Sequence, residues 1–139
     1  MKFDFVFLGQ SILKYQVPLD IFTAINQIYE QNLHRLAPAN GQLVGKIENE
    51  HSLFYNGQDQ SKMKNHNILP RNITDYFMTV FKHYLSFNKI RDYDTHLNSI
   101  WVNEMKQHEY NPAHIHRGML FTGLSSVMIL KMPSTFGKE

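Results

Sequence analysis

Trp101-Val102-Asn103, then Tyr110-Asn111-Pro112-Ala113-His114-Ile115-His116-Arg117-Gly118, then Leu124-Ser125-Ser126-Val127-Met128-Ile129-Leu130-Lys131-Met132-Pro133: this stretch decides how the chain is read. From Thr95 to Met105 the apolar pattern has period two, with Leu97, Trp101 and Met105 on one face and Ile100 and Val102 on the other. Apolar groups on both faces predict a strand inside a sandwich or a covered sheet. Pro112 biases Asn111 away from helix, so His114 to His116 reads as extended. Side chains at i and i+2 of a strand share a face about 6.5 Å apart. Two imidazoles so placed can turn toward one ion, each offering nitrogen at about 2.0–2.1 Å. Neutral imidazole suits iron, zinc, copper and nickel. Ser126 to Met132 predicts a final apolar strand closed by Pro133.

Upstream, Phe3 to Leu8 and Ile12 to Val17 read as strands. Pro18 suits the first turn of a helix, where its missing N–H is harmless. Leu19, Phe22, Ile25, Ile28 or Tyr29, and Leu33 follow at helical spacing. Pro38-Ala39-Asn40-Gly41 is a turn. Leu43 to Ile47 and Ser52 to Tyr55 are short strand candidates, and Gly57 to Asn67 is a polar loop. Asn72 to Asn88 carries Ile73, Phe77, Val80, Phe81 and Tyr84, a second amphipathic helix with Pro70 at its start.

The chain has 139 residues, 42% of them apolar, with 10 Phe and 7 Tyr, which predicts one globular domain with a single core and excludes disorder. Its formal charge is only +2, with Lys and Arg scattered and Lys62 and Lys64 the nearest approach to a cluster. That argues against nucleic acid as a partner, which calls for a basic face. No cysteine is present, so disulfides, thiolate metal sites and cysteine nucleophiles are all excluded. The N-terminus lacks the apolar run and cleavage site of a signal peptide, and no apolar run approaches the ~18 residues of a membrane span. The expectation is a soluble cytoplasmic protein with no membrane partner. Neither the substrate nor the oligomeric state is legible. No Gly-x-Ser-x-Gly elbow, phosphate loop or His-Glu-x-x-His helix occurs.

Eight histidines are present, and only the His114/His116 pair has ligand spacing. A cupin also carries His-x-His, but follows it with Glu three or four residues on, where this chain has Leu120 and Phe121. The order Trp-x-Asn, Asn-Pro-x-His-x-His, Ser-x-Val and an apolar strand ending at Pro resembles the 2-oxoglutarate/Fe(II)-dependent oxygenases often encoded by marine phages. The match covers about the last third of the chain, from Trp101 to Pro133.

The resemblance implies an α+β fold in which N-terminal helices pack on a partial double-stranded β-helix, or jelly roll. Residues 1–139 would form one domain, with 1–92 as helical support and 93–139 as the first core strands bearing the His-x-His. It implies a dioxygenase using Fe(II) and the co-substrate 2-oxoglutarate, with His114 the first iron ligand. His116 occupies a place where many relatives carry Asp or Glu, as a ligand or as a group beside the metal. Asn103 and Ser126 are the candidates for co-substrate contact. Glu104, His108 and Glu109 are the nearest upstream groups to an iron shell, though their setting suits a solvated strand end or loop. Relatives place a distal His and a 2-oxoglutarate-gripping Arg on later strands. After His116 this sequence has no His, and its later cations are Arg117, Lys131 and Lys138. The resemblance therefore implies an oxygenase truncated at its C-terminus, a fragment without turnover of its own. The competing expectation is a non-enzymatic jelly-roll binding or structural module whose histidines are incidental.

Overall fold

A computed structural model describes residues 11–39, 45–56, 67–112 and 123–136. It is a small α+β domain: helix α1 (Leu19–Asn32) with a single 3-10 turn after it (Leu33–Arg35), strand β1 (Asn49–Tyr55), helix α2 (Arg71–Phe87) and strand β2 (Ser99–Glu104). Among the described residues the sheet has two strands, paired antiparallel. No helix among them is long and apolar enough to cross a membrane.

Pro18 stands immediately before α1, and its carbonyl accepts the Phe22 N–H at 2.9 Å. Asp20 in the first turn complements the positive helix end. The buried line is Ile21, Ile25 and Tyr29, while Leu19 is 78% exposed. The expected stripe through Leu19 and Leu33 is therefore corrected. At about 100° per residue Leu19 lies about 120° around the helix from Ile25, whereas Ile21 and Tyr29 lie one turn away on either side. Leu33 falls in the 3-10 turn and is also exposed.

β1 is hydrogen-bonded along both edges. Its Asn49, His51, Phe54 and Tyr55 oppose Glu104, Val102, Ile100 and Ser99 of β2. On its other edge, Ala39 N–H donates to Glu50 O (2.8 Å), Ser52 N–H to Ala37 O (3.0 Å) and Ile68 N–H to Leu53 O (3.1 Å). The edge used changes from residues 50 and 52 to residue 53. This is the parity slip of a β-bulge, and the register breaks between Ser52 and Phe54. Leu53, at the bulge, is fully buried. The strand read from sequence as Ser52 to Tyr55 thus begins three residues earlier. The Leu43 to Ile47 strand is not formed over 45–47, where Lys46 makes an isolated bridge to Tyr110.

α2 matches its sequence expectation within a residue at each end. Pro70 precedes it and accepts the Ile73 N–H at 3.0 Å. Ile73 and Leu85 are buried. The helix ends in a Schellman arrangement: Ile90 N–H donates to Leu85 O and Lys89 N–H to Ser86 O, both at 3.0 Å. Lys89 takes the left-handed position, φ 58°, that glycine usually fills.

Two expected strands are not strands here. Over residues 11–17 burial alternates residue by residue, as in an extended chain, but the contacts run through side chains to α2. Tyr84 OH donates to Ser11 O (2.8 Å), Ser11 Oγ to Asn88 Oδ1 (2.6 Å), and Tyr15 OH meets His83 Nδ1 at 2.7 Å. Residues 123–133 likewise carry no strand, although Met128 and Leu130 pack on the core. A strand needs a partner's backbone as well as a period-two pattern, and no local pattern supplies the partner. The Phe3 to Leu8 strand and all but the last residue of the Gly57 to Asn67 loop lie outside the described residues.

The core joins all four elements: Ile21, Ile25 and Tyr29 of α1, Leu53 of β1 and Ile73 of α2, with Leu36, and with Ile100 and Val102 of β2 against them.

Candidate functional site

Because Ile100 and Val102 face the core, Trp101 and Asn103 point to the opposite face of β2. Register places Ser52 beside Trp101 and Glu50 beside Asn103 on that face. Glu50 and Ser52 are each only 5% exposed. The outer face of the sheet is thus polar yet covered. The Asn103 side-chain oxygen is buried with no hydrogen-bond partner among the described residues, and so is that of Asn111. Buried polar groups are nearly always paired, so each orphan amide marks a place where a partner belongs.

The approach to the histidine pair is anchored. Lys46 and Tyr110 exchange backbone hydrogen bonds at 2.9 and 3.1 Å. Gly45 lies so close that a Cβ there would strike the Tyr110 carbonyl oxygen and sit 2.9 Å from Pro112 Cδ. Only glycine fits at that crossing. His114 and His116 themselves lie outside the described residues. Ser126 is exposed, in a segment without helix or strand. Asn103 is thus the one expected contact residue whose surroundings call for a polar partner.

The three upstream groups do not converge. Glu109 accepts the Lys106 N–H (2.7 Å) and the Glu48 N–H (3.0 Å), tying the loop after β2 to the entry of β1. Those two backbone donors hold its carboxyl below the usual carboxylate range. His108 is exposed with a left-handed backbone, φ 69°. Glu104 points to the helix side, away from Trp101 and Asn103. Among the described residues no three His, Cys, Asp or Glu side chains come together as a metal shell would need.

Glu104 instead belongs to a cluster that the sequence did not disclose. Tyr29 OH donates to its Oε1 at 2.9 Å, and Asn49 Nδ2 donates to its Oε2 at 3.2 Å. His51 Nδ1 lies 3.3 Å from Tyr29 OH. The single phenolic proton goes to the carboxylate, so the Tyr29 oxygen accepts from His51 when Nδ1 carries hydrogen. Burial, the Glu104 hydrogen bond and the Glu104 charge all push the Tyr29 phenol above its ordinary range. A phenol so held is a fixed donor, locking α1 to the end of the sheet. Its members are up to 75 residues apart, and no spacing rule links them. The one available signal was Asn49 and His51 sharing a strand face.

No family model, curated protein or solved structure matches this chain.

Proposed function

We propose that the chain carries part of the active site of a 2-oxoglutarate- and Fe(II)-dependent dioxygenase, and that the sheet described above is the beginning of a jelly roll. The observation that carries this reading is the ordered pattern from Trp101-x-Asn103 through Asn111-Pro112-x-His114-x-His116 to Ser126-Val127 and Pro133. One structural feature supports it: Trp101 and Asn103 share the covered polar face of β2. There the Asn103 Nδ2 hydrogens can donate to a 2-oxo acid, whose oxygens are acceptors, whereas the buried Asn103 oxygen, itself an acceptor, calls for a different, donating partner.

His114 is the proposed iron ligand and His116 its companion, direct or through a hydrogen bond. Bound iron with 2-oxoglutarate and O₂ would supply the oxidising chemistry for hydroxylating a substrate C–H bond. The chain's part is to orient and to exclude water. Neutral imidazole at His114 offers the nitrogen, Trp101 walls the face, and Asn103 and Ser126 offer hydrogen bonds to the co-substrate. The family's distal His and Arg have no counterpart after His116, so the proposal concerns the portion of the site found in this sequence.

The test is anaerobic titration with Fe(II), and with Mn(II) as a redox-silent stand-in read by its paramagnetic resonance. Weak binding is expected, abolished by His114→Ala and diminished by His116→Ala. Binding that survives His114→Ala would sink the ligand assignment. No binding by the unsubstituted chain would favour a non-enzymatic module.

A further inference from the structure

Tyr29, His51 and Glu104 bring three different metal-binding groups together where α1 meets the end of the sheet. The register sets Asn49 opposite Glu104 and His51 opposite Val102, so His51 and Glu104 are diagonal neighbours on the helix side of the sheet. Such neighbours stand about 7–8 Å apart, within reach of long side chains. Tyr29 touches both: its oxygen is 2.9 Å from Glu104 Oε1 and 3.3 Å from His51 Nδ1. An ion that holds N and O ligands at about 2.0–2.1 Å spaces neighbouring ligands about 2.9–3.4 Å apart, from right-angle to tetrahedral geometry. Both distances fall in that range, and the longer one exceeds the usual length of a hydrogen bond. The second carboxylate oxygen, Oε2, accepts from Asn49 Nδ2 at 3.2 Å. That leaves Oε1 directed at the phenol, the kind of support that orients a metal-binding carboxylate. Tyr29 is buried, while His51 and Glu104 are half-buried, so the cluster is open to an ion and to the waters that complete its shell.

We propose that Tyr29, His51 and Glu104 form a binding site for ferric iron. Imidazole suits iron, and tyrosine oxygen is an established iron ligand. Phenolate and carboxylate together supply two negative charges, which favours a trivalent ion. On binding, the phenolic O–H bond is exchanged for an Fe–O bond. The proton leaves to buffer and the iron stays ferric. Burial and Glu104 hold that proton firmly, so a strongly acidic trivalent ion displaces it, whereas Fe(II) and Mn(II) leave it in place. The inference does not rest on the oxygenase reading: Glu104 points to the opposite face of β2 from Trp101 and Asn103.

The test is titration of the full chain with ferric nitrilotriacetate, which keeps the ion in solution, read by visible absorption. Iron bound to a phenolate absorbs visible light by charge transfer from oxygen to metal, a band that imidazole and carboxylate ligands alone do not give. The band is expected to saturate at one ion per chain and to be unchanged by His114→Ala. Tyr29→Phe is expected to abolish it. Glu104→Gln keeps the size of the side chain and an acceptor for the phenol, so it preserves the fold should Tyr29→Phe not. It and His51→Gln are each expected to weaken binding roughly tenfold or more. Circular dichroism checks every variant. Four outcomes would overturn the proposal: no visible band from the unsubstituted chain, a band that persists in Tyr29→Phe, an affinity indifferent to both Glu104→Gln and His51→Gln, or a band lost in His114→Ala.

Discussion

At the scale of single residues, the lock of α1 onto the sheet rests on one phenol. Tyr29 gives its proton to the Glu104 carboxylate, a hydrogen bond to a charged acceptor and hence among the stronger kind. Tyr29→Phe is expected to lower unfolding stability at pH 7 by about 1–3 kcal/mol, read as a shift in denaturant midpoint. The pH dependence has a defined sign. The Tyr29 phenol is raised by burial and then by Glu104, and the Tyr76 phenol is raised by burial and then by Tyr15. Above the ordinary tyrosine value of about 10 the unfolded chain has lost protons that the folded chain still holds. Stability is therefore complete below about pH 10 and falls as pH climbs toward the raised folded values. Tyr29→Phe should flatten part of that alkaline slope and leave the part due to Tyr76. An unchanged slope would mean that Tyr29 ionises in the folded protein as it does in the unfolded one.

Among secondary elements, legibility followed length and locality. α2 was readable because 17 residues of amphipathic pattern give several turns of agreement, and Pro70 marks the start. α1 is readable as a helix but its buried face is not, since Leu19 and Ile21 compete for it and tertiary packing decides. β1 was half readable: the bulge at Leu53 breaks the alternation that would have extended it back to Asn49. Segments 11–17 and 126–132 have the strand period without the strand, because pairing is a property of two segments. The shared strand face of Trp101 and Asn103 is legible from their spacing of two, whereas the Tyr29, His51 and Glu104 cluster is not, being assembled from α1, β1 and β2. The end of α2 gives a prediction at this scale. Lys89 holds the left-handed position of a Schellman motif, where a Cβ costs roughly 1–2 kcal/mol. Glycine pays no such penalty but loses more backbone entropy on folding, roughly 0.5–1 kcal/mol relative to alanine. Lys89→Gly is expected to stabilise by about 0.5–1 kcal/mol and raise the melting temperature; a lower one would show that the motif is not formed in solution.

For the whole molecule, the decisive feature is that one cluster of side chains serves both helices and both strands. Ile73 of α2 is fully buried and shares that cluster with Ile25 of α1, Leu53 of β1 and the β2 residues Ile100 and Val102. The chain order interleaves them, helix, strand, helix, strand, so α2 lies in the connection between the two paired strands and meets the others in the shared core. Helices and sheet should then unfold as one cooperative unit. Two probes report on them separately. Far-ultraviolet circular dichroism follows mainly α1 and α2. Fluorescence follows β2 alone, because Trp101 is the single tryptophan. The two denaturation curves are expected to coincide. Ile73→Ala removes most of a side chain that nothing nearby can replace, so it should cost about 2–5 kcal/mol. It should move both curves to lower denaturant by the same amount, although Ile73 lies on a helix and Trp101 on a strand. A helix signal that shifts while the tryptophan signal stays would divide the molecule into two units. A shared shift ties the covered polar face around Asn103 to the same core that holds the helices.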